Sequence, residues 1–333
     1  MATLAGARIF TVGQTIYVWE DVVLAGQLSG EWGALQQRVR DGLACLARLD
    51  DSDEDDEDDL DEDDVDTAAS EFRYERDLIA AADLESWLDD RGLTVDAWLD
   101  FIRRTLLLER WAEDLDEIRE SYEIDDDELA DGIVCEAVCS GLAQRLAERL
   151  AARAAIHARL QEESGAPDVD GAAGNRSEHL RRLEETWNRF TARLAPPEAL
   201  KKVIATHALD WIRFTVVAVV APADELAREI ALCVREDGRA IADVAAEADL
   251  RYETADWWLE DLEPSLRDAL VVAQPGDLVG PLAVKAGQLV LTVAHKHLPS
   301  DDNAEVRARA EAALLARTVE HETAGRVVWH RTL

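Results

Sequence analysis

The sequence has no apolar run near the roughly 20 residues that a membrane-spanning helix needs. Its opening, MATLAGARIFTVGQTIYVWED, also lacks the basic and apolar segments of a secretory signal. Cysteine is scarce, since Cys45, Cys135, Cys139 and Cys233 are too few and too scattered for a disulfide framework in 333 residues. These absences predict a soluble, cytoplasmic protein with no membrane contact and with buried thiols.

Common catalytic and cofactor motifs are missing as well. No Walker A, GxGxxG, GxSxG or HExxH pattern is present, so the local sequence gives no support for nucleotide binding, serine hydrolysis or zincin chemistry. Cys135 and Cys139 lie one helical turn apart, and His295 and His297 alternate along a predicted strand, but no third metal ligand completes either pair. We therefore expect buried thiols, surface histidines, no metal and no cofactor.

The charge of the chain is strongly one-sided. Against 71 Asp and Glu residues stand 35 Lys and Arg residues, a formal net charge of −36. Such a chain is unsuited to nucleic-acid backbones and to anionic lipid. A cationic partner or plain solubility fits better. Hydrophobic residues make up 48% of the sequence, which is enough for real cores, and the length favours two or three domains.

Two breaks in composition divide the chain. The tract Asp50 to Asp66 holds 14 acidic residues and is predicted to be a disordered insert, which serves solvation or recruits a basic partner. The Gly-, Ala- and Asp-rich stretch from Glu163 to Asn175 is predicted to be a flexible linker. The predicted divisions are an N-terminal hairpin and helix (1–49), the acidic insert (50–70), a helical domain (71–162), the linker (163–176), connecting helices (177–211), an α+β domain (212–298), and a C-terminal helix and strand (299–333).

Hydrophobic periodicity gives the content of these parts. The segment ARIFTVGQTIYVWEDVV predicts a hairpin with a Gly-Gln turn, and the spacing from Ala34 to Leu49 predicts a helix. From Glu71 to Gln161, three or four packed helices are predicted, one of them capped by Thr94. From Arg213 the order strand, helix, helix, irregular stretch, strand, strand predicts a small α+β domain with an antiparallel sheet.

Four pieces of this α+β segment follow a known order: Ala227 to Val234, Leu262-Glu263-Pro264-Ser265-Leu266, PGDLVGP at Pro275 to Pro281, and Gly287-Gln288-Leu289-Val290. In this order the segment resembles the parvulin-type peptidyl-prolyl isomerases, and PGDLVGP is its most specific piece. The opening VGQTIYVWEDV and the helical segments Trp87 to Arg110 and Tyr122 to Gly141 resemble SurA-like chaperones. The layout is also similar to parvulin-related proteins of bacterial peptide-maturation systems.

This resemblance implies a set of polar catalytic groups that the chain lacks. Parvulins use two histidines, a Cys or Asp, and a Thr or Ser. The first histidine position falls in Val217-Ala218-Val219 and the second on Leu289, so both histidines are missing, and the Thr position falls near Val284. Asp249 is the nearest acid to the Cys/Asp position and is therefore the catalytic candidate that the resemblance gives. Without hydrogen bonds to the twisted amide, most of the rate enhancement is expected to be lost.

The apolar residues of the implied site match the family's pattern better than the polar residues do. Leu262 and Leu266 keep the i, i+4 spacing of two family residues, and Trp257 takes the place of a leucine. Adjacent Trp257 and Trp258 cannot both face one core, so at least one is predicted to line a groove or cap an edge. We therefore predict a substrate-binding site that consists of Trp257, Trp258, Leu262, Leu266 and Leu289.

The predicted fold class is α+β, mostly α: a SurA-like helical chaperone module with one degenerate parvulin-like domain that has a small antiparallel sheet. The predicted function is to hold an unfolded or precursor peptide, basic or proline-containing, as a chaperone or as a carrier in the maturation of a ribosomally made peptide. Two alternatives stay open. One is an active isomerase in which Asp249, Arg251 or Tyr252 replaces the missing groups. The other is a structural partner protein that binds another subunit through Trp257-Trp258.

Overall fold

The computed structural model describes residues 4–51, 60–165 and 175–333. The chain forms two compact units, of which the first comprises Met1–Phe190 with Val319–Leu333 and the second comprises Thr191–Thr318. Helices dominate, and the strands form two small antiparallel sheets, which confirms the α+β, mostly α, fold class. Within the described ranges, no helix is both long enough and apolar enough to span a bilayer.

The first unit contains a three-stranded sheet in the order β2-β1-β7. Strands β1 (Arg8–Val12) and β2 (Thr15–Val18) form the predicted hairpin, and its turn contains Gly13 at φ +59°. Strand β7 (Val327–Trp329) pairs with the other edge of β1, so the C-terminal strand returns to the N-terminal hairpin as predicted.

Helices make up the rest of the first unit, and between Glu71 and Gln161 they are more numerous than the three or four predicted. They are α1 (Trp19–Ser29), α2 (Glu31–Asp51), α3 (Glu62–Glu75), α4 (Ala81–Arg91), α5 (Val95–Arg110), α6 (Leu115–Ser121), α7 (Asp126–Cys139), α8 (Leu142–Ser164) and α9 (Arg176–Leu194). The hydroxyl oxygen of Thr94 accepts a hydrogen bond from the Ala97 amide at 3.1 Å, which is the predicted cap of α5. Helix α1 was not predicted, and Gly141 at φ +72° separates α7 from α8, which the sequence suggested as one run.

Part of the predicted disordered insert, 50–70, is helical, because Asp50 and Asp51 end α2 and residues 62–70 belong to α3, so the prediction is wrong for these residues. Asp61 caps α3 by accepting a hydrogen bond from the Asp63 amide at 3.0 Å, and acidic residues in a first helical turn are favoured by the helix dipole. Val65, Ala69 and Phe72 form a buried stripe along this helix. The sequence prediction missed this stripe because it was based on the number of acidic residues in the tract. Residues 52–59, like most of the predicted linker, lie outside the described residues.

A buried ionic cluster joins α2, α5 and α7 in the first unit. Glu136 is only 2% exposed, and its carboxylate accepts a hydrogen bond from Arg38 Nε at 2.9 Å. Arg104, 3% exposed, places Nη2 3.8 Å from the other Glu136 oxygen. Within the part of the chain that the structure describes, Arg104 Nε and Nη2 have no hydrogen-bond partner. The Glu136 carboxylate is therefore the charge partner of a buried guanidinium group.

The second unit is built around a four-stranded antiparallel sheet in the order β4-β3-β6-β5. Its elements are α10 (Pro197–Thr206), β3 (Arg213–Ala221), α11 (Asp224–Glu236), α12 (Ile241–Glu247), β4 (Tyr252–Trp258), a 3-10 turn (Leu259–Asp261), α13 (Pro264–Val272), β5 (Leu278–Val284) and β6 (Gly287–His297), followed by α14 (Ala304–Arg326). The predicted order is confirmed except for β4. The sequence predicted an irregular stretch there, because this edge strand is polar and mostly exposed over its first half.

The two faces of this sheet carry separate apolar clusters. On one face, Phe214, Val216 and Ala218 of β3 pack with Leu291 of β6 and Leu270 of α13, and we call it the α13 face. On the other face, further residues of β3 and β6 pack against α11 and α12. A third cluster joins α10 and the first half of α14.

The unit boundaries differ from the predicted divisions at two places. The division falls inside α9 and inside α14, so residues 191–211 and 299–318 belong with the sheet unit and not with the helical one. The sequence predicted the first segment as part of the connecting helices and the second as part of the helical module, because helical periodicity does not show which core a helix packs on. Their apolar residues form the α10–α14 cluster, which periodicity alone cannot assign.

Gly287, the first residue of β6 after the turn from β5, is held at φ +141°, and a Cβ added to it would lie 2.3 Å from the Ala221 carbonyl oxygen. We expect Gly287→Ala to destabilise the sheet by about 3 kcal/mol, measured as lost hydrogen-exchange protection in β3 and β6. As a control, Gly33→Ala in α2, where a Cβ meets no atom within 4 Å, is expected to preserve or slightly raise stability. Unchanged protection of β3 and β6 in Gly287→Ala would contradict the turn geometry.

Candidate functional site

Four of the five predicted substrate-binding residues lie on the α13 face. Leu289 is buried in its cluster, and Trp257, Leu262 and Leu266 pack against that cluster while staying half-buried. They come from four places in the chain: Trp257 from β4, Leu262 from the segment between the 3-10 turn and α13, Leu266 from α13, and Leu289 from β6. The structure therefore brings together side chains that the sequence spreads over more than 30 positions.

The α13 face is long in the strand direction. Trp257 lies opposite Phe214, and Leu289 lies opposite Val220 at the other end of β3. At about 3.3 Å per residue, the two positions are roughly 20 Å apart. Leu282 of β5 lies opposite Leu289 and is also half-buried. The half-buried apolar side chains thus lie at both ends of the face, as contacts for an extended chain would.

Trp258 lies on the opposite face of the sheet. It packs in the α10–α14 cluster, and the Arg309 guanidinium carbon lies 4.2 Å from its ring centroid. The Arg213 guanidinium carbon lies 5.6 Å from the same ring. Trp257 and Trp258 therefore point to different sides, as expected for neighbours in a strand, and only Trp257 shares a face with the other predicted residues.

The resemblance would place the family's histidines within Val217-Ala218-Val219 and at Leu289, and of the first three positions Ala218 is the one on the α13 face. Ala218 and Leu289 both pack into the α13 cluster, with exposures of 2% and 6%. The acid on this face beside Ala218 is Glu253, which lies directly opposite it on β4 and is exposed. Glu253 was missed because the sequence did not predict β4.

Asp249, the catalytic candidate, lies away from these residues. It follows α12 at φ +56°, is exposed, and its amide donates to the Ala246 carbonyl oxygen at 3.2 Å. Its neighbour Leu250 packs on the cluster under α11 and α12, on the other side of the sheet from Leu289. In this conformation Asp249 ends a helix and does not join the α13 face.

A lysine fixes the end of the α13 face near Trp257. The Lys296 ammonium donates to the carbonyl oxygens of Val271 and Ala273 at 3.0 and 2.9 Å, and it lies 5.3 Å from the Phe214 ring centroid. These bonds satisfy carbonyls at the C-terminal end of α13, where a cation is favoured. Lys296 thus holds α13 against the sheet.

The predicted pair His295 and His297 shares one face, with ring centroids 5.8 Å apart. His297 Nε2 lies 3.4 Å from Thr215 Oγ1, which donates to Asp256 Oδ1 at 2.5 Å. These groups are polar neighbours of Trp258. In the described part of the chain, no group of three or more His, Cys, Asp or Glu side chains is arranged to hold a metal ion.

The sequence predicted four buried thiols, and the structure buries three of the four. Cys135 and Cys139 are fully buried in α7 with their sulfurs 3.8 Å apart, and their hydrogen bond lowers the pKa of Cys135 and raises that of Cys139. Burial raises the pKa of Cys45 to about 11. Cys233, on α11, is only half-buried.

Comparison with known proteins gives distant likenesses in structure alone. No protein-family model and no curated protein sequence matches the chain. A crystal structure of the peptidylprolyl isomerase PrsA from Bacillus cereus is 12% identical, with 62% of this chain and 88% of that chain covered and a TM-score of 0.32. The foldase PrsA from Streptococcus pneumoniae is 11% identical, with 96% and 93% covered and a TM-score of 0.31.

A third structure comes from the SurA-like chaperones PEB4 and Cj1289 of Campylobacter jejuni. It is 13% identical, covers 69% of this chain and 88% of that chain, and has a TM-score of 0.20. These proteins are of the class that the sequence resembles, parvulin-type isomerases and SurA-like chaperones. Since every TM-score lies below 0.5, the likenesses add no detail about the site.

Proposed function

We propose that this protein binds unfolded or precursor peptides, as a chaperone or as a carrier in the maturation of a ribosomally made peptide, and that it does so in the cytoplasm. The α13 face of the second unit is the proposed binding surface. The single observation that carries this proposal is the set of half-buried apolar side chains, Trp257, Leu262, Leu266 and Leu282, exposed along one face of the sheet.

The length of the face favours an extended segment as the ligand. About 20 Å of sheet corresponds to six or seven residues of an extended chain. Trp257 at one end and Leu282 at the other would contact apolar or prolyl side chains several positions apart in the peptide. Aromatic side chains such as Trp257 commonly contribute most of the energy of such contacts.

The same proposal includes that the protein does not catalyse cis/trans isomerisation of the bound peptide. Ala218 and Leu289 supply no hydrogen bond to a twisted amide, and the acid beside Ala218, Glu253, is exposed to solvent. The barrier to rotation of an Xaa-Pro bond is about 18–20 kcal/mol, and an apolar surface alone offers no polar group to lower it. The domain would therefore hold a peptide without isomerising it.

The alternative of an active isomerase requires polar groups that reach the bound amide. Asp249, Arg251 and Tyr252 are exposed at the α12 end of β4, and Asp249 does not join the α13 face. If they act nonetheless, Asp249→Ala should abolish turnover. The structural-partner alternative places Trp258 at an interface, whereas here Trp258 packs within its own unit.

Fluorescence anisotropy of a labelled seven-residue peptide, apolar at both ends and with a central Xaa-Pro bond, tests the proposal. Saturable binding that an unlabelled copy displaces supports it. A peptide of the same composition with serine at the end positions is the control and should bind at least tenfold more weakly, because it lacks the side chains for the two ends of the face. Equal affinity of the two peptides, or no binding of either, would overturn the proposal.

A further inference from the structure

The first unit contains a cavity whose lining residues differ in kind from those of the α13 face. It has a volume of about 990 Å³ and lies among α2, α3, α5 and the start of α7. We call it the acidic groove. Cavities of this size are in the range that takes a ligand or several side chains of a partner.

The floor of the acidic groove is apolar. It is formed by Leu46, Leu49, Leu60, Val65, Leu99 and Ile124. Except for Val65, which is buried, these side chains are half-buried, so they reach the surface of the groove instead of being covered by the unit's own core. Such a floor suits the apolar side of an amphipathic segment.

The rim carries one sign of charge. Asp50, Glu62, Asp66, Glu123 and Glu128 line it and are exposed. No salt bridge to another described residue neutralises any of these five carboxylates. Among the described residues that line the groove, Arg103 is the one cation, and it is paired with Asp100 at 3.1 Å. An apolar ligand with negative or neutral flanks would leave these carboxylates without a partner.

From this complementarity we propose that the acidic groove binds a cationic amphipathic peptide segment, with its apolar side chains on the floor and its Lys or Arg side chains on the rim. The site is separate from the α13 face and stands whether or not that face binds a peptide. A second copy of this chain fits less well, since its own charge is −36 and like charges would meet at the rim.

The test uses three synthetic helical peptides with the same leucine pattern at i, i+3 and i+4, whose remaining positions carry Lys, Gln or Glu. Binding to the full chain is measured by titration calorimetry at about 20 and 300 mM salt, because screening weakens exposed ion pairs. We expect the Lys peptide to bind at low salt and to weaken at high salt, and the Glu peptide not to bind. A Gln peptide that binds as tightly as the Lys peptide would overturn the cationic assignment.

Charge-neutralising variants locate the binding. Glu62→Gln, Asp66→Asn and Glu128→Gln together should weaken binding of the Lys peptide about tenfold at low salt. The matched control removes three exposed carboxylates of the same unit outside the groove, with Glu85→Gln, Asp89→Asn and Glu109→Gln, and should leave the affinity within twofold. Equal losses in the two variants would show a diffuse charge effect and overturn the site.

Two further outcomes are decisive. A change of oligomeric state in the rim variant, measured by sedimentation, would assign the groove to a second copy of the chain and overturn the peptide proposal. Trp257→Ala, on the α13 face, should leave binding of the Lys peptide unchanged. If Trp257→Ala abolishes that binding, the Lys peptide binds to the α13 face and the groove proposal is wrong. The experiments therefore distinguish an error in the groove proposal from an error in the proposal for the α13 face.

Discussion

Replacing Trp257 by alanine is expected to weaken binding of an apolar Xaa-Pro peptide by about 2 kcal/mol, or roughly thirtyfold. Trp257 is the largest half-buried side chain on the α13 face and the anchor of one of its ends. Its removal takes away aromatic contact area that no neighbour replaces. The measurement is a titration of labelled peptide by fluorescence anisotropy, with wild type and variant compared under one set of conditions.

The control for this prediction is Tyr252→Ala. Tyr252 is an exposed aromatic residue of the same strand, five positions away and therefore on the other face of the sheet. Its replacement should leave the affinity unchanged. A Trp257→Leu variant, which keeps an apolar side chain in the cluster, checks that the loss is not caused by unfolding. If Trp257→Ala and Tyr252→Ala bind the peptide equally, the α13 face is not the binding surface.

The second large effect is expected in the first unit. Glu136→Ala should lower its stability by about 3–5 kcal/mol, because it leaves the buried Arg104 guanidinium without its countercharge. Among the described residues, Arg104 Nε and Nη2 have no hydrogen-bond partner, so bonds to these two nitrogens do not offset the loss of the Glu136 charge. Hydrogen exchange of the α5 and α7 amides measures the loss in the intact chain.

Asp131→Ala is the matched control, since Asp131 is an exposed carboxylate of the same helix. It should change stability by less than about 0.5 kcal/mol. Replacing both buried charges, in Glu136→Met with Arg104→Met, should recover most of the stability, because the one partner left behind, Arg38, has a side chain that is 47% exposed and stays solvated. A loss below about 1 kcal/mol in Glu136→Ala would contradict the assigned pairing.

Much of the fold follows from local patterns in the sequence. The hairpin around Gly13, the Thr94 cap and the helix–helix–strand order of the second unit depend on residues close together in the chain, and all were predicted. The failures share a cause. Strand β4 is defined by its pairing with β3, and α3 by a buried stripe within an acidic tract. Both depend on partners that are remote in sequence, which local periodicity cannot supply.

The candidate site was predictable only in part for the same reason. Trp257, Leu262, Leu266 and Leu289 could be grouped by resemblance, and the structure places all four on one face. That Trp258 faces the other way follows from strand geometry once β4 exists. Glu253 and Lys296 could not be placed on the α13 face, because their positions depend on strand register and on the β-bulge in the pairing of β3 and β6.

The acidic groove illustrates how charge and fold combine. The sequence indicates an acidic protein and a cationic partner but no location for either. The helices bring five exposed carboxylates from α2, α3 and α7 and the segment before it around one apolar floor. The preference for a cationic partner, which the composition indicates for the chain as a whole, is thereby assigned to a defined surface. Together with the α13 face, it gives the chain two proposed sites of different chemistry.

The most direct test of the central claim is NMR exchange spectroscopy on basic and neutral Xaa-Pro peptides with a substoichiometric amount of this protein. One experiment reports both binding and cis/trans interconversion, which is slow without a catalyst. Binding without turnover predicts shifted or broadened peptide signals and no accelerated exchange between the cis and trans forms. Accelerated exchange, above all if Asp249→Ala abolishes it, would contradict that claim and make the protein an isomerase.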